Sequence, residues 1–227
     1  MDILLTEFAD VSPLADEELF ARATERVPEW RRAKVRRLRR PEARRLSLGA
    51  GLLLARAMKS AGVPLDAEIA FDPHGKPFYP VFPRFHFCLS HSGDFAMCSN
   101  APSPVGCDIQ KVDPSRLKNR RLVARTIGAD SLPFFDGMDE ERKVRAFFAA
   151  WGMRESAFKM LGSDADFDEI PPEMLFMFSD EGFFRLLPGY CVVVGGGTPL
   201  SGPPPQECVR TKFRGVELEK ILRSPKR

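Results

Sequence analysis

The chain has no apolar run long enough to cross a bilayer. Its longest, around Leu52-Leu53-Leu54-Ala55, is cut by Arg56 far short of the ~20 residues a membrane-spanning helix needs. A secretory leader is not expected either, because Asp2, Glu7 and Asp10 occupy the region where a leader is basic; the chain is expected in the cytoplasm, off the membrane. There is no Cys-x-x-Cys pair, and Cys88, Cys98, Cys107, Cys191 and Cys208 are odd in number. Both facts argue against a disulfide framework or a zinc ribbon and predict reduced packing residues. Net charge is small, +3, while hydrophobic content of 44% and charged content of 29% are those of a globular protein. At 227 residues the chain can bury a sizeable core, as one domain or as two small halves sharing an interface.

The positive charge that exists is concentrated. Arg31, Arg32, Lys34, Arg36, Arg37, Arg39, Arg40, Arg44 and Arg45 stand against a single acid, Glu42. Such a block suits a phosphate-rich partner, a solvated helix face or, on charge alone, nucleic acid. The rest of the chain has to decide which.

Asp16-Glu-Glu-Leu reads as a capped helix start, Pro28 restarts the helix, and apolar residues at 46, 50, 53, 54, 57 and 58 predict a core helix over Glu42 to Lys59. Phe71 to Pro80 is turn-rich and carries Lys76. Phe85, Phe87 and Leu89 alternate as a strand with one buried face, Ser90 to Asp94 reads as a turn, and Phe95 to Ser99 as the return strand. After a break at Ala101-Pro-Ser-Pro104, Val105, Cys107 and Ile109 form the apolar face of another strand, which places Gly106, Asp108 and Gln110 together on the opposite face. Short strands are expected over 175–178, 182–187 and 190–194, and a Pro/Gly-rich stretch over 195–205.

A helix over Glu140 to Leu161 carries the most demanding feature. At roughly 100° per residue, Val144, Phe147, Phe148, Trp151 and Phe158 share one arc, Glu155 lies inside it and Lys159 at its edge. A carboxylate there needs a cation or a metal. Asp108, Gln110 and Glu155 supply oxygen ligands of the kind magnesium takes, whereas an ion-pair network of Glu155, Lys159 and Arg154 would answer the same need.

The order of these pieces resembles one family. Gly75-Lys76-Pro77, Phe85-His-Phe-Cys-Leu-Ser-His-Ser-Gly-Asp94, Val105-Gly-Cys-Asp-Ile-Gln-Lys111 and Phe147-Phe-Ala-Ala-Trp-Gly-Met-Arg-Glu-Ser-Ala-Phe-Lys-Met-Leu-Gly162 are similar to successive motifs of the 4′-phosphopantetheinyl transferase superfamily, in its larger, pseudo-dimeric type that activates surfactin and enterobactin synthetases. The likeness covers about residues 25 to 195. It implies an α+β fold of two similar halves with pseudo-two-fold symmetry, 1–104 for coenzyme A nucleotide binding and 105–227 for metal and catalysis, each a small, mostly antiparallel sheet packed on a long helix. It also implies transfer of the 4′-phosphopantetheine arm of coenzyme A to a serine of an acyl or peptidyl carrier protein, releasing adenosine 3′,5′-bisphosphate.

By the same resemblance Asp108, Gln110 and Glu155 hold Mg²⁺, with Mn²⁺ as a substitute. Lys159 offsets charge on the leaving phosphate, and Glu155 or a metal-held water takes the serine proton. Lys76, Ser90 and His91 line the nucleotide, and Arg31, Lys34 and Arg45 grip the 3′-phosphate. Arg116, Lys118, Arg120, Arg121 and Arg125 are candidates for meeting an acidic carrier. No nucleic acid or membrane partner is implied, and a monomer is expected. Two departures stand out: Gln110 where the family has a third acid, and Arg154 where it has lysine. The first leaves a second reading open, a degenerate relative that binds coenzyme A or carrier without turnover.

Overall fold

The computed structural model describes residues 4–161, 189–196 and 211–223, and its first half is built on a four-stranded sheet. Strand β1 (Leu4–Asp10) is followed by helices α1 (Glu17–Thr24), α2 (Glu29–Arg37) and α3 (Pro41–Ser60), then by the two-residue strands β2 (Ala70–Phe71) and β3 (Pro77–Phe78), which pair with each other. β4 (His86–Ser92) and β5 (Phe95–Ala101) form an antiparallel hairpin that joins β1 through β5. The local chemistry is as expected from the residues: Asp16 caps α1 by accepting the Leu19 N–H at 2.7 Å, and Pro28 opens α2. Along α3, Leu48, Leu52, Leu53, Ala57 and Met58 are buried against this sheet.

The β4–β5 turn is shorter than the sequence reading placed it. Only Gly93 and Asp94 lie outside the strands, so Ser90 and His91 are strand residues. Gly93 has φ +57°, and a Cβ there would sit 2.3 Å from the Tyr190 hydroxyl, so any side chain would be strained and would have to displace Tyr190. Nor is β4 buried on one face alone: Phe87, Cys88 and Ser90 are all buried, because a second layer packs beside it.

That second layer consists of β6 (Val105–Lys111), α4 (Arg120–Ile127), α5 (Leu132–Asp136), α6 (Glu140–Leu161) and β7 (Tyr190–Gly196), with β6 and β7 antiparallel. Val105, Cys107 and Ile109 face the first sheet with Tyr190, Val192 and Val194, as the alternation predicts. The opposite face is covered as well: Cys191 and Val193 lie under Phe147 and Phe148 of α6. Gly106 lets α6 come this close, since a Cβ there would stand 1.8 Å from the Ser156 carbonyl oxygen.

The two layers are joined by side chains instead of a shared ladder. The N–H groups of Cys107, Ile109 and Lys111 donate in turn to Cys88 Sγ (3.2 Å), Ser90 Oγ (3.2 Å) and Ser92 Oγ (2.9 Å). Every second residue of β4 thus satisfies every second amide of β6, the period-two geometry of facing strands.

Finally β8 (Thr211–Gly215) pairs parallel to β1, and α7 (Leu218–Arg223) places Leu218 and Leu222 in the first core. The architecture is α+β, mixed helix and mostly antiparallel sheet. Cys88, Cys98, Cys107 and Cys191 are buried free thiols. Among the described residues no helix is long and apolar enough to cross a membrane. The strands expected over 175–178 and 182–187, most of the 195–205 stretch and Cys208 lie outside the described residues.

Candidate functional site

Of the two acids expected at the site, the fold buries Asp108, 5% exposed on β6, and leaves Glu155 only partly covered. Asp108 Oδ1 accepts from Lys159 Nζ at 2.6 Å and from Ser90 Oγ at 2.8 Å. Ser90 Oγ in turn accepts from Lys159 Nζ at 3.0 Å and from the Ile109 N–H, so one hydroxyl organises both strands and the lysine. Asp108 Oδ2 is buried with no partner. A buried, unsatisfied carboxylate oxygen costs about 1–3 kcal/mol or more, which is the signature of a group kept for a ligand.

Glu155 lies on the flank of α6, half-buried, beside a stripe formed by Phe147, Phe148, Gly152, Ser156, Ala157 and Met160. The expected apolar arc is corrected here: Phe158 is 41% exposed, because the helix meets β6 and β7 through its small residues and leaves Phe158 and Glu155 at the rim. Burial raises the Glu155 pKa, Lys159 works against that rise, and Asp108 adds to it. For Lys159, burial depresses the pKa, but the Asp108 carboxylate and nearby thiols outweigh it, and the net direction is upward. Arg154 does not complete this group; its guanidinium donates to the Arg125 carbonyl.

Asp108, Gln110, Glu155, Lys159, Ser90 and His91 line one cavity of about 340 Å³. The Gln110 amide N–H₂ donates to Ser92 Oγ and to the Lys111 carbonyl, which leaves its oxygen as the end free for a ligand. Two carboxylates and an amide oxygen, one carboxylate oxygen having no partner, fit a divalent cation that draws its remaining ligands from phosphate and water. Among the described residues no three His, Cys, Asp or Glu side chains gather as a metal site of their own.

A second, larger cavity of about 580 Å³ shares Leu89 and Lys159 with the first. Its cations are Arg31, Lys34, Arg37, Lys76 and Lys159, and its walls are Trp30, Phe71, Phe87 and Phe158. Arg31 is 4% exposed and donates to the Ser47 carbonyl (2.7 Å) and Oγ (3.2 Å), while its Nε has no partner. Burial pulls its pKa down to about 10, so it remains a cation. Burial also lowers Lys34, and Arg31 adds to the effect. His91 is open to solvent on one side; desolvation on the other, with Arg31, Lys159 and Lys34 nearby, holds its pKa below the usual histidine value. Cations crowded around a neutral imidazole are poised for an anion.

The structure therefore brings together Arg31, Lys34, Lys76, Ser90, His91, Asp108, Gln110, Glu155 and Lys159 across two adjoining cavities. It does not bring in Arg45, which pairs with Glu42 at 3.7 Å. Lys76 Nζ donates to the Met160 carbonyl at 3.0 Å, tying the β2–β3 loop to the end of α6. Of the basic residues assigned to a carrier surface, Lys118, Arg121 and Arg125 are exposed, Arg120 pairs with Asp136, and Arg116 lines the smaller cavity. Sequence reasoning missed the aromatic walls, for which Trp30 at the head of the arginine block was the available signal.

Aromatic and cationic walls adjoin a two-carboxylate pocket on an α+β frame, an arrangement with the charge to receive a polyanion. Residues 104–184 match the sequence model of the 4′-phosphopantetheinyl transferase superfamily, and the chain belongs to that superfamily. It is 34% identical over 154 residues to the 4′-phosphopantetheinyl transferase Sfp of Bacillus subtilis (strain 168), covering 66% of each chain. Identity to psf-1 of Bacillus pumilus is 33% over 123 residues, 53% of this chain and 51% of the relative, and to AcpT of Escherichia coli (strain K12) 31% over 115 residues, 50% and 58%. The chain thus spans between about half and two thirds of the length of these curated relatives.

Proposed function

We propose that this chain transfers the 4′-phosphopantetheine arm of coenzyme A to a serine of an apo acyl or peptidyl carrier protein, releasing adenosine 3′,5′-bisphosphate. The observation that carries the reading is the convergence of Asp108, Glu155 and Lys159 in a pocket that opens onto the basic, aromatic-walled cavity. The larger cavity takes the nucleotide. Arg31, Lys34 and His91 meet its phosphate, with Trp30 and Phe87 offering apolar surface to the base. Lys76 and Ser90 line the passage to the reacting pocket, and Arg45, paired with Glu42 on α3, lines neither cavity.

The carrier hydroxyl attacks the phosphorus next to the pantetheine arm, and the bond from that phosphorus to the bridging oxygen breaks. Glu155, whose pKa is raised by burial, is the protein group suited to take the hydroxyl proton. Lys159 stays protonated and offsets the charge that develops on the departing oxygen. To do so it turns from Asp108 toward the phosphates, leaving Asp108 free to ligate. Asp108, Glu155 and the Gln110 oxygen would hold Mg²⁺ or Mn²⁺, which supplies charge neutralisation at the pyrophosphate.

The pseudo-two-fold division into 1–104 and 105–227 belongs to this proposal; in support, α3 lies on the first sheet and α6 on β6 and β7, while residues 211–223 rejoin the first sheet. A monomer in the cytoplasm is proposed too; the free thiols among the described residues support the compartment. The test is to combine the protein with coenzyme A, Mg²⁺ and apo carriers of both kinds and weigh the carriers by mass spectrometry. A gain of one phosphopantetheine is expected. No gain on any carrier, with coenzyme A still bound, would establish the degenerate binder instead.

A further inference from the structure

The smaller cavity has a second cation that the mechanism above does not use. Arg116 lies in the single turn Pro114–Lys118 that follows β6, and it lines the same space as Asp108, Gln110, Glu155 and Lys159. Its guanidinium carbon stands 5.5 Å from the centroid of the Trp151 ring. Trp151 is one helical turn before Glu155 on α6, so the same helix face that presents the carboxylate also holds the arginine. Among the described residues Arg116 makes no ion pair. Asp113 is the acid whose field it shares, and that carboxylate is already engaged in capping the turn through the Ser115 N–H at 3.0 Å. The guanidinium thus lies beside the indole face, and no ion pair among the described residues occupies its hydrogen-bond donors.

Asp108 and Glu155 are negative, Lys159 and Arg116 positive, and Gln110 carries none. A third carboxylate at position 110 would leave an excess of negative charge to draw a divalent cation; with an amide there the pocket is balanced. Such a pocket holds metal more weakly and keeps two cations for phosphate oxygens. Arginine is the side chain that meets two such oxygens at once, and stacking on an indole is compatible with that use.

We propose that Arg116 is a substrate-binding residue of this cavity: stacked on Trp151, it takes a two-pronged hold on the pyrophosphate oxygens and lets this Gln110-bearing site bind coenzyme A with no divalent cation present. The proposal rests on the transferase reading, in that it takes coenzyme A as the ligand.

The experiment is titration calorimetry of coenzyme A into the intact protein in EDTA, for the wild type, Arg116→Gln, Arg116→Lys and Arg142→Gln, the last an exposed arginine at the start of α6 outside both cavities. Adenosine 3′-phosphate, which lacks a pyrophosphate, is titrated in parallel. Wild type and Arg142→Gln are expected to bind coenzyme A alike, and Arg116→Gln to bind it on the order of ten- to a hundredfold more weakly. Arg116→Lys, with the charge but not the fork, falls between, and adenosine 3′-phosphate binds all four proteins equally. If Arg116→Gln fails to fold, the lysine variant carries the same comparison. Unchanged coenzyme A affinity on loss of Arg116, equal loss for both probes, or wild-type binding only when Mg²⁺ is added overturns the proposal. A wild type that binds no coenzyme A under any condition overturns the transferase reading itself.

Discussion

Replacing Gly106 by alanine should uncouple the two elements that carry the acids. The added Cβ would lie 1.8 Å from the Ser156 carbonyl oxygen, 2.8 Å from its carbon and 2.9 Å from Met160 Cβ, and the first two are backbone of α6. Relieving the clash requires α6 to back away by roughly 1.5 Å to reach an ordinary contact. Lys159 Nζ, now 2.6 Å from Asp108 Oδ1, would then lose its bond, and Glu155 would recede from Asp108. Overpacking of this kind costs about 1–3 kcal/mol. For a chain of this length each kcal/mol lowers Tm by about 2–4 °C, so a fall on the order of 5 °C is expected. Displacement of about 1 Å at reacting groups costs on the order of 10²-fold in rate. Gly152→Ala is the internal comparison: its Cβ would meet Val193 Cγ2 at 2.6 Å, a side chain able to turn, so it should lose less stability and little rate. Thermal unfolding followed by circular dichroism and initial rates of carrier modification measure both. If Gly106→Ala keeps wild-type Tm and rate, α6 does not depend on that glycine and the reasoning is wrong.

Glu155→Gln should trade function for stability. The folded pKa of Glu155 lies above its unfolded value near 4.5, so the native state holds the extra proton and stability falls as pH rises through that window. The amide variant escapes this loss: it should melt higher than wild type at pH 7.5, with the gap closing below pH 4.5, while transfer drops by about 10²–10⁴-fold. Equal melting temperatures at pH 7.5 would show that Glu155 is not held against desolvation. Ser90→Ala should strip the Ile109 N–H of its acceptor and cost about 1–3 kcal/mol in urea unfolding, a larger loss than for an exposed serine such as Ser115. A loss no greater than that of Ser115→Ala would mean the side-chain ladder between β4 and β6 does not hold the layers together.

Much of the frame was legible in local pattern. The helix over Glu140 to Leu161, the core helix ending near Ser60 and the alternating faces of β6 follow from periods of 3.6 and 2, which depend only on neighbours along the chain. What local pattern misjudged was burial. Glu155 looked like the buried charge because a helical wheel counts apolar neighbours and not the surface they meet. The helix meets β6 where Ser156 lies on Gly106 and meets β7 where Gly152 lies on Val193, so the packing stripe is shifted and Glu155 comes to its rim. Ser90 read as part of a turn because Ser-His-Ser-Gly-Asp is turn chemistry, yet Ser90 and Ser92 are strand residues that bond the amides of β6.

The residue types of the site and their order along the chain, Lys76, Ser90, His91, Asp108, Glu155 and Lys159, are properties of the sequence alone, since a motif is a pattern of neighbours. Which of them touch was decided only by tertiary structure. Lys159 and Asp108 are fifty-one residues apart and meet at 2.6 Å because a side-chain ladder sets β6 beside β4 and a missing Cβ lets α6 close on β6. The same packing took Arg45 out of the site and put Arg116 into it, a choice no spacing in the sequence encodes.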